Sequence, residues 1–159
     1  MINVAVFQFN PICENTIAVW DSTSECVIID AGGSCRQELK IVAAINTHGH
    51  FDHLLGVDYL QKSFGVPFAM HSDDAFLLGN AQTSASVFGV KAGPMPEKID
   101  TDLSGMDSFR FGETELRIIP TPGHTPGHVC FFEPQSRVLF TGDTLFRESI
   151  GRTDLSGGD

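Results

Sequence analysis

Five of the six histidines of this 159-residue chain fall in two short windows, 48–53 and 124–128. Scattered structural histidines would not cluster so. The first window reads Thr47-His48-Gly49-His50-Phe51-Asp52-His53 and follows the apolar run 41–46. It therefore sits at the carboxyl end of a strand, where open α/β sheets place their ligands. His48 and His50 are two apart, so in extended chain they point to the same side. His50 and His53 could share a helical face, but His48 and His50 could not. The spacing favours a strand-end loop that feeds two neighbouring centres with different subsets of ligands. Imidazole nitrogens with a carboxylate are what zinc or non-haem iron takes, and Gly49 lets the backbone turn tightly between them.

The second window reads Pro120-Thr121-Pro122-Gly123-His124-Thr125-Pro126-Gly127-His128. A spacing of four would pair His124 and His128 on a helix, but two Pro-Gly steps make a helix improbable there. The reading is His124 as a metal ligand and His128 as a supporting residue. A third element, Phe140-Thr141-Gly142-Asp143-Thr144, is an apolar strand ending in an acid. Alone, Asp143 reads as an ordinary cap; beside the histidines it reads as a carboxylate bridging two metals. The lone His71 reads as a surface or packing residue.

Composition narrows the remaining classes. Twenty acidic against ten basic residues leave a net charge of −10, the opposite of a nucleic-acid footprint and unsuited to an anionic membrane. A hydrophobic fraction of 42% with 13 Phe can build one core, and a single domain over 1–159 is expected. Residues 1–20 lack the charged start of a secretory signal. Cys13, Cys26, Cys35 and Cys130 form no CxxC pair and read as small buried hydrophobes in a reducing cytoplasm.

Strands are expected at 2–9, 16–20, 26–30, 41–46 and 66–70, and again at 108–111, 115–119, 128–133 and 137–140. Residues 21–24 make a hairpin turn. A helix is expected over 54–64, with a short one capped by Ser72 or Asp73. Residues 79–97 read as a mobile loop or frayed helix over a site. This order implies two ββα-like halves face to face. Ten residues separate Asp30 from Ile41, so a crossover helix barely fits if those strands are parallel. The last residues, Ser156-Gly157-Gly158-Asp159, are loop-like, and the expectation is a fold incomplete at this end.

Together the three windows resemble the metallo-β-lactamase superfamily, and within it the short glyoxalase-II-like hydrolases. Residues 9–16, 27–32 and 147–154 are also similar to this group. The resemblance implies an αββα sandwich (an α/β, four-layer class) with two divalent metals at one edge: zinc, with iron or manganese as alternatives. It implies that His48, His50 and His124 hold the first metal, that Asp52 and His53 hold the second, and that Asp143 bridges. Relatives complete the second site with a later histidine, and none follows His128 here. Thr47 and His128 would support the ligands, and Arg152 would hold a substrate carboxylate. The activity implied is hydrolysis of a thioester or ester, on an anionic small molecule, by a metal-bound hydroxide that Asp52 orients. Two alternatives stand beside it. One is a mononuclear iron enzyme like the persulfide dioxygenases, using His48, His124 and Asp143; the other is a non-catalytic metal-binding module.

Overall fold

The computed structural model describes residues 1–33 and 39–159. Cys35 and the centre of the link before Ile41 lie outside the described residues. Strands β1 (Asn3–Phe7), β2 (Thr16–Trp20), β3 (Glu25–Ile29), β4 (Lys40–Ile45), β5 (Phe68–Met70) and β6 (Thr101–Asp102) form one sheet in sequence order. Strands β7 (Ser108–Phe111), β8 (Thr114–Pro120), β9 (Val129–Glu133) and β10 (Val138–Phe140) form an antiparallel second sheet, ordered β10-β9-β8-β7. Helices α1 (Val57–Phe64), α2 (Ala75–Leu78) and α3 (Ala81–Val87) come between β4 and β6. The architecture is an α/β sandwich.

Alternation along β3 explains the layers. Cys26 and Ile28 pack towards the helices, while Val27 and Ile29 pack towards the second sheet. A strand covered on both faces reads as a continuous apolar run, as this one does. In β4, one extra residue between the partners of Cys26 and Val27 shifts the register. Ile41 and Ala44 then join the helical side, and Ala43 and Ile45 the inter-sheet core. Strands β3 and β4 are parallel neighbours.

The turn 21–24 forms as expected. Asp21 Oδ1 accepts from Thr23 N at 2.9 Å and Thr23 Oγ1 at 2.6 Å, and Ser24 takes a φ of 66°. Other expectations need correcting. The helix expected from residue 54 starts at Val57: the Val57 amide reaches only to Leu54 O at 3.1 Å, and His53 O is taken by Asn46 Nδ2, while the Gly56 amide donates to Ala31 O at 2.6 Å. A Cβ on Gly56 would stand 2.1 Å from Gly33 O, so only glycine allows this approach. Residues 79–97 contain α3, whose Ala81 and Ala85 are buried. The cap at 72–74 is His71, whose side chain accepts from Asp73 N at 3.2 Å. Cys26 and Cys130 are buried, but Cys13 is exposed, in a turn at φ 63°. Among the described residues no helix is long and apolar enough to cross a membrane.

Candidate metal centre

The centre lies at the carboxyl ends of β3 and β4 and under the loops that leave β8 and β10. At the end of β4, Asn46 Nδ2 donates to His53 O at 2.9 Å and closes the loop on itself. Thr47 N and Oγ1 both donate to Asp30, at 2.7 and 2.8 Å. Having given its proton to Asp30, Thr47 Oγ1 is left to accept from His48 Nδ1, 3.1 Å away. This assigns the His48 proton to Nδ1 and leaves the Nε2 lone pair facing inward. In the second loop, His124 Nδ1 donates to Arg152 O at 2.6 Å, so its Nε2 lone pair also faces inward.

Those lone pairs converge. His50 Nδ1 lies 3.1 Å from His48 Nε2 and 2.8 Å from His124 Nε2. Only His50 retains a proton that could bridge such a pair, so two of the three nitrogens can do no more than accept. One proton on His50 Nδ1 could serve only one neighbour well, whereas a cation among the three nitrogens would suit all of them. Tetrahedral zinc at 2.0–2.1 Å from each nitrogen would set them roughly 3.3 Å apart, close to the separations found. Beside this group, His48, His53 and Asp143 also bring ligand atoms within 4.8 Å of one another. Asp143 Oδ2 is 3.4 Å from His124 Nε2 and its Oδ1 is 3.4 Å from His53 Nε2. One carboxylate oxygen thus faces each group. Asp52 Oδ2 also lies 3.5 Å from His53 Nε2. The residues present therefore fit a cation among His48, His50 and His124, and His53 and Asp143, with Asp52 beside them, could hold a second.

Charge follows from burial and neighbours. Burial pushes His50 down to about 4 and His48 well below the usual histidine value, each reinforced by neighbouring histidines. Both are thus neutral, the form that ligates. His53 is buried too, which opposes its charge, but Asp52 and Asp30 beside it hold it well above the usual value. Burial works against ionisation of Asp143, yet its bond to His53 keeps it below the usual carboxylate range.

The remaining expected residues take different places. His128 turns both nitrogens away from the cluster: Nε2 accepts from Asp143 N at 3.1 Å, and Nδ1 meets Thr121 Oγ1 at 2.9 Å. It steadies the backbone that carries Asp143. The Arg152 guanidinium is exposed and grips Asp154 with two bonds, at 2.5 and 2.7 Å. A substrate carboxylate would have to displace Asp154. Two carboxylates were missed. Asp30 gathers Thr47 and also approaches His53 Nδ1 at 3.4 Å; its position after an apolar strand, as for Asp143, was the available signal. Asp74 accepts from Gly49 N, Thr125 Oγ1 and Gly127 N, and nothing local in the sequence marks it.

Residues 14–159 match the Metallo-beta-lactamase superfamily. An uncharacterized protein of Aquifex aeolicus is 39% identical, over 98% of this chain and 77% of its own. The hydroxyacylglutathione hydrolase GloC of Haemophilus influenzae is 31% identical, over 99% of this chain and 79% of its own. Among solved structures, the BLEG-1 B3 metallo-beta-lactamase superposes with a TM-score of 0.87 at 32% identity, covering 99% of this chain and 79% of that one. TTHA1623 in a di-iron-bound form superposes with a TM-score of 0.83 at 30% identity, covering 98% and 79%. By sequence, fold and the clustering of its histidines, the chain belongs to the metallo-beta-lactamase superfamily.

Proposed function

We propose that the chain is a dinuclear metallo-hydrolase of thioesters or esters, of the glyoxalase-II-like kind. The observation that carries this is the convergence of His48 Nε2, His50 Nδ1 and His124 Nε2 beside the His53–Asp143 pair. The superfamily is largely one of metallo-hydrolases, and the likeness to a hydroxyacylglutathione hydrolase supports the thioester class. Bound divalent cations would supply a water acidified to neutral pH and a Lewis acid for the carbonyl oxygen.

The protein's residues do the rest. His48, His50 and His124 would hold one cation, Asp52 and His53 the other, with Asp143 between the two groups. Asp52 lines the cavity over the centre, where it can orient the attacking water and take its proton. Water gives its oxygen to the acyl carbon, the C–S or C–O bond breaks, and the leaving sulfur or oxygen takes the proton. The products are a carboxylic acid and a thiol or alcohol. Buried Thr47 and Asp30 hold His48 in its ligating tautomer throughout.

Zinc is the first choice of metal; the likeness to a di-iron-bound protein keeps iron beside it. Metal analysis of the purified protein tests the reading. Two metals per chain are expected, and His48→Ala should lose metal and thioesterase activity together. Full activity in metal-free protein would overturn it.

A further inference from the structure

A cavity of about 480 Å³ opens onto His50, His124 and Asp143, a size usual for small-molecule sites. Its lining includes Phe51, Leu77 and Phe88, and, from the loop after β10, Phe146 and Ile150. The Phe51 and Phe88 rings pack together, with centroids 5.4 Å apart. At the mouth, Phe88, Phe146 and Ile150 remain 51%, 43% and 73% exposed. Apolar surface gathered around one opening marks a binding site.

The charges along the walls favour an uncharged occupant. Among the described residues lining the cavity, Arg152 is the one with a fixed positive charge, and Asp154 takes its guanidinium. Asp52 and Asp143 also line the cavity, but at its metal end, where bound cations would meet their charge. Away from the metal centre, the tail of an anionic acyl group would meet no free cation among the described lining residues.

We infer that this cavity seats the uncharged, apolar acyl group of the substrate, aliphatic or aromatic, with its carbonyl at the histidine cluster. The inference rests on the hydrolase reading above and departs from the anionic substrate expected from the sequence. Walls of this kind reward length. Each buried methylene should raise kcat/KM by about fourfold, from a transfer free energy of about 0.8 kcal/mol.

The test uses N-acetylcysteamine thioesters from acetyl to octanoyl, with succinyl beside butyryl, on metal-loaded protein. In parallel, calorimetry follows the binding of acetate, butyrate and octanoate. Rising kcat/KM along the series and a tenfold or greater preference for butyryl over succinyl are expected. Octanoate should bind most tightly, with a negative heat-capacity change. Phe88→Ser and Ile150→Ser, at exposed positions where folding is tolerant, should flatten both series. If acetyl thioester is cleaved but neither series depends on length, the cavity assignment falls and the hydrolase reading stands. If nothing is cleaved while binding still rises with length, the hydrolase reading falls and the cavity assignment stands. No cleavage and no length dependence would remove both.

Discussion

Asp74 and Thr125 lie 51 residues apart in sequence, and Thr125 Oγ1 donates to Asp74 Oδ2 at 2.6 Å. The same carboxylate accepts from Gly49 N at 2.9 Å and Gly127 N at 2.7 Å. It is fully buried. Asp74 therefore ties together the two loops whose histidines converge. The glycines are there for closeness: a Cβ on Gly127 would stand 2.8 Å from Asp74 Oδ1, and one on Gly49 3.1 Å from Asp74 Cβ.

Asp74→Ala leaves three buried donors without an acceptor. It should cost about 3–5 kcal/mol of folding stability, measured by urea unfolding. Asp74→Asn keeps an acceptor oxygen but turns an amide donor towards the other N–H groups. That variant should fold and bind metal roughly 10–100-fold more weakly in a chelator competition. Unchanged metal affinity in folded Asp74→Asn would show that the clamp does not position the histidines.

The chain Asp30–Thr47–His48 makes a separate prediction. Thr47→Val keeps the shape but removes the hydroxyl, so His48 Nδ1 loses its acceptor and the ring is free to take the other tautomer. Metal affinity should fall roughly 10–100-fold, while Thr47→Ser should restore most of it. Nitrogen NMR of the His48 ring would report the tautomer directly; the same tautomer in wild type and Thr47→Val would remove the argument.

These two hubs also show what the sequence could tell and what it could not. The histidine windows were legible because their ligands crowd within six residues behind an apolar run, so strand-end placement followed from local pattern alone. Asp143 was legible the same way. Asp74 was not: its partners lie 25, 51 and 53 residues away, and no local period encodes such a meeting. Asp30 ends an apolar strand much as Asp143 does, but its role needs β3 and β4 side by side. Strand β6 has two residues and exists by pairing with β5, so no apolar run announced it. The start of α1 moved because His53 O, which would accept the first helical bond, takes the Asn46 side chain instead.

Gly142 carries the turn after β10 at a φ of +48°. A Cβ there would stand 2.3 Å from Thr47 Oγ1 and 2.9 Å from His128 Nε2. Gly142→Ala should combine left-handed strain with overpacking, about 2–5 kcal/mol in all. Gly65, at φ +66° with nothing within 4 Å of a Cβ, isolates the strain alone. Gly65→Ala should cost about 1–2 kcal/mol. Thermal unfolding of both variants separates the contributions; equal losses would show that Thr47 and His128 yield freely to the added methyl.

Glu14 is nearly buried. Its Oε2 accepts from Thr16 Oγ1 at 3.2 Å, and its Oε1 has no partner. Burial raises its pKa to about 8; His53 opposes the rise, and Asp30 and Asp52 add to it. The sign follows from proton counts. Between the ordinary value near 4.5 and about 8, the unfolded chain has released this proton and the folded chain has kept it. Stability therefore falls as pH rises through that window, and the loss is complete above it. Below the ordinary value both states are protonated and the group contributes no penalty. Glu14→Gln keeps the shape without the proton. In metal-free protein it should match wild type at pH 4 and exceed it at pH 8.5 by on the order of 3–5 kcal/mol. Urea unfolding of both proteins at pH 4, 6.5 and 8.5 reads the difference. A gap that stays constant with pH would mean that Glu14 ionises as freely in the fold as outside it.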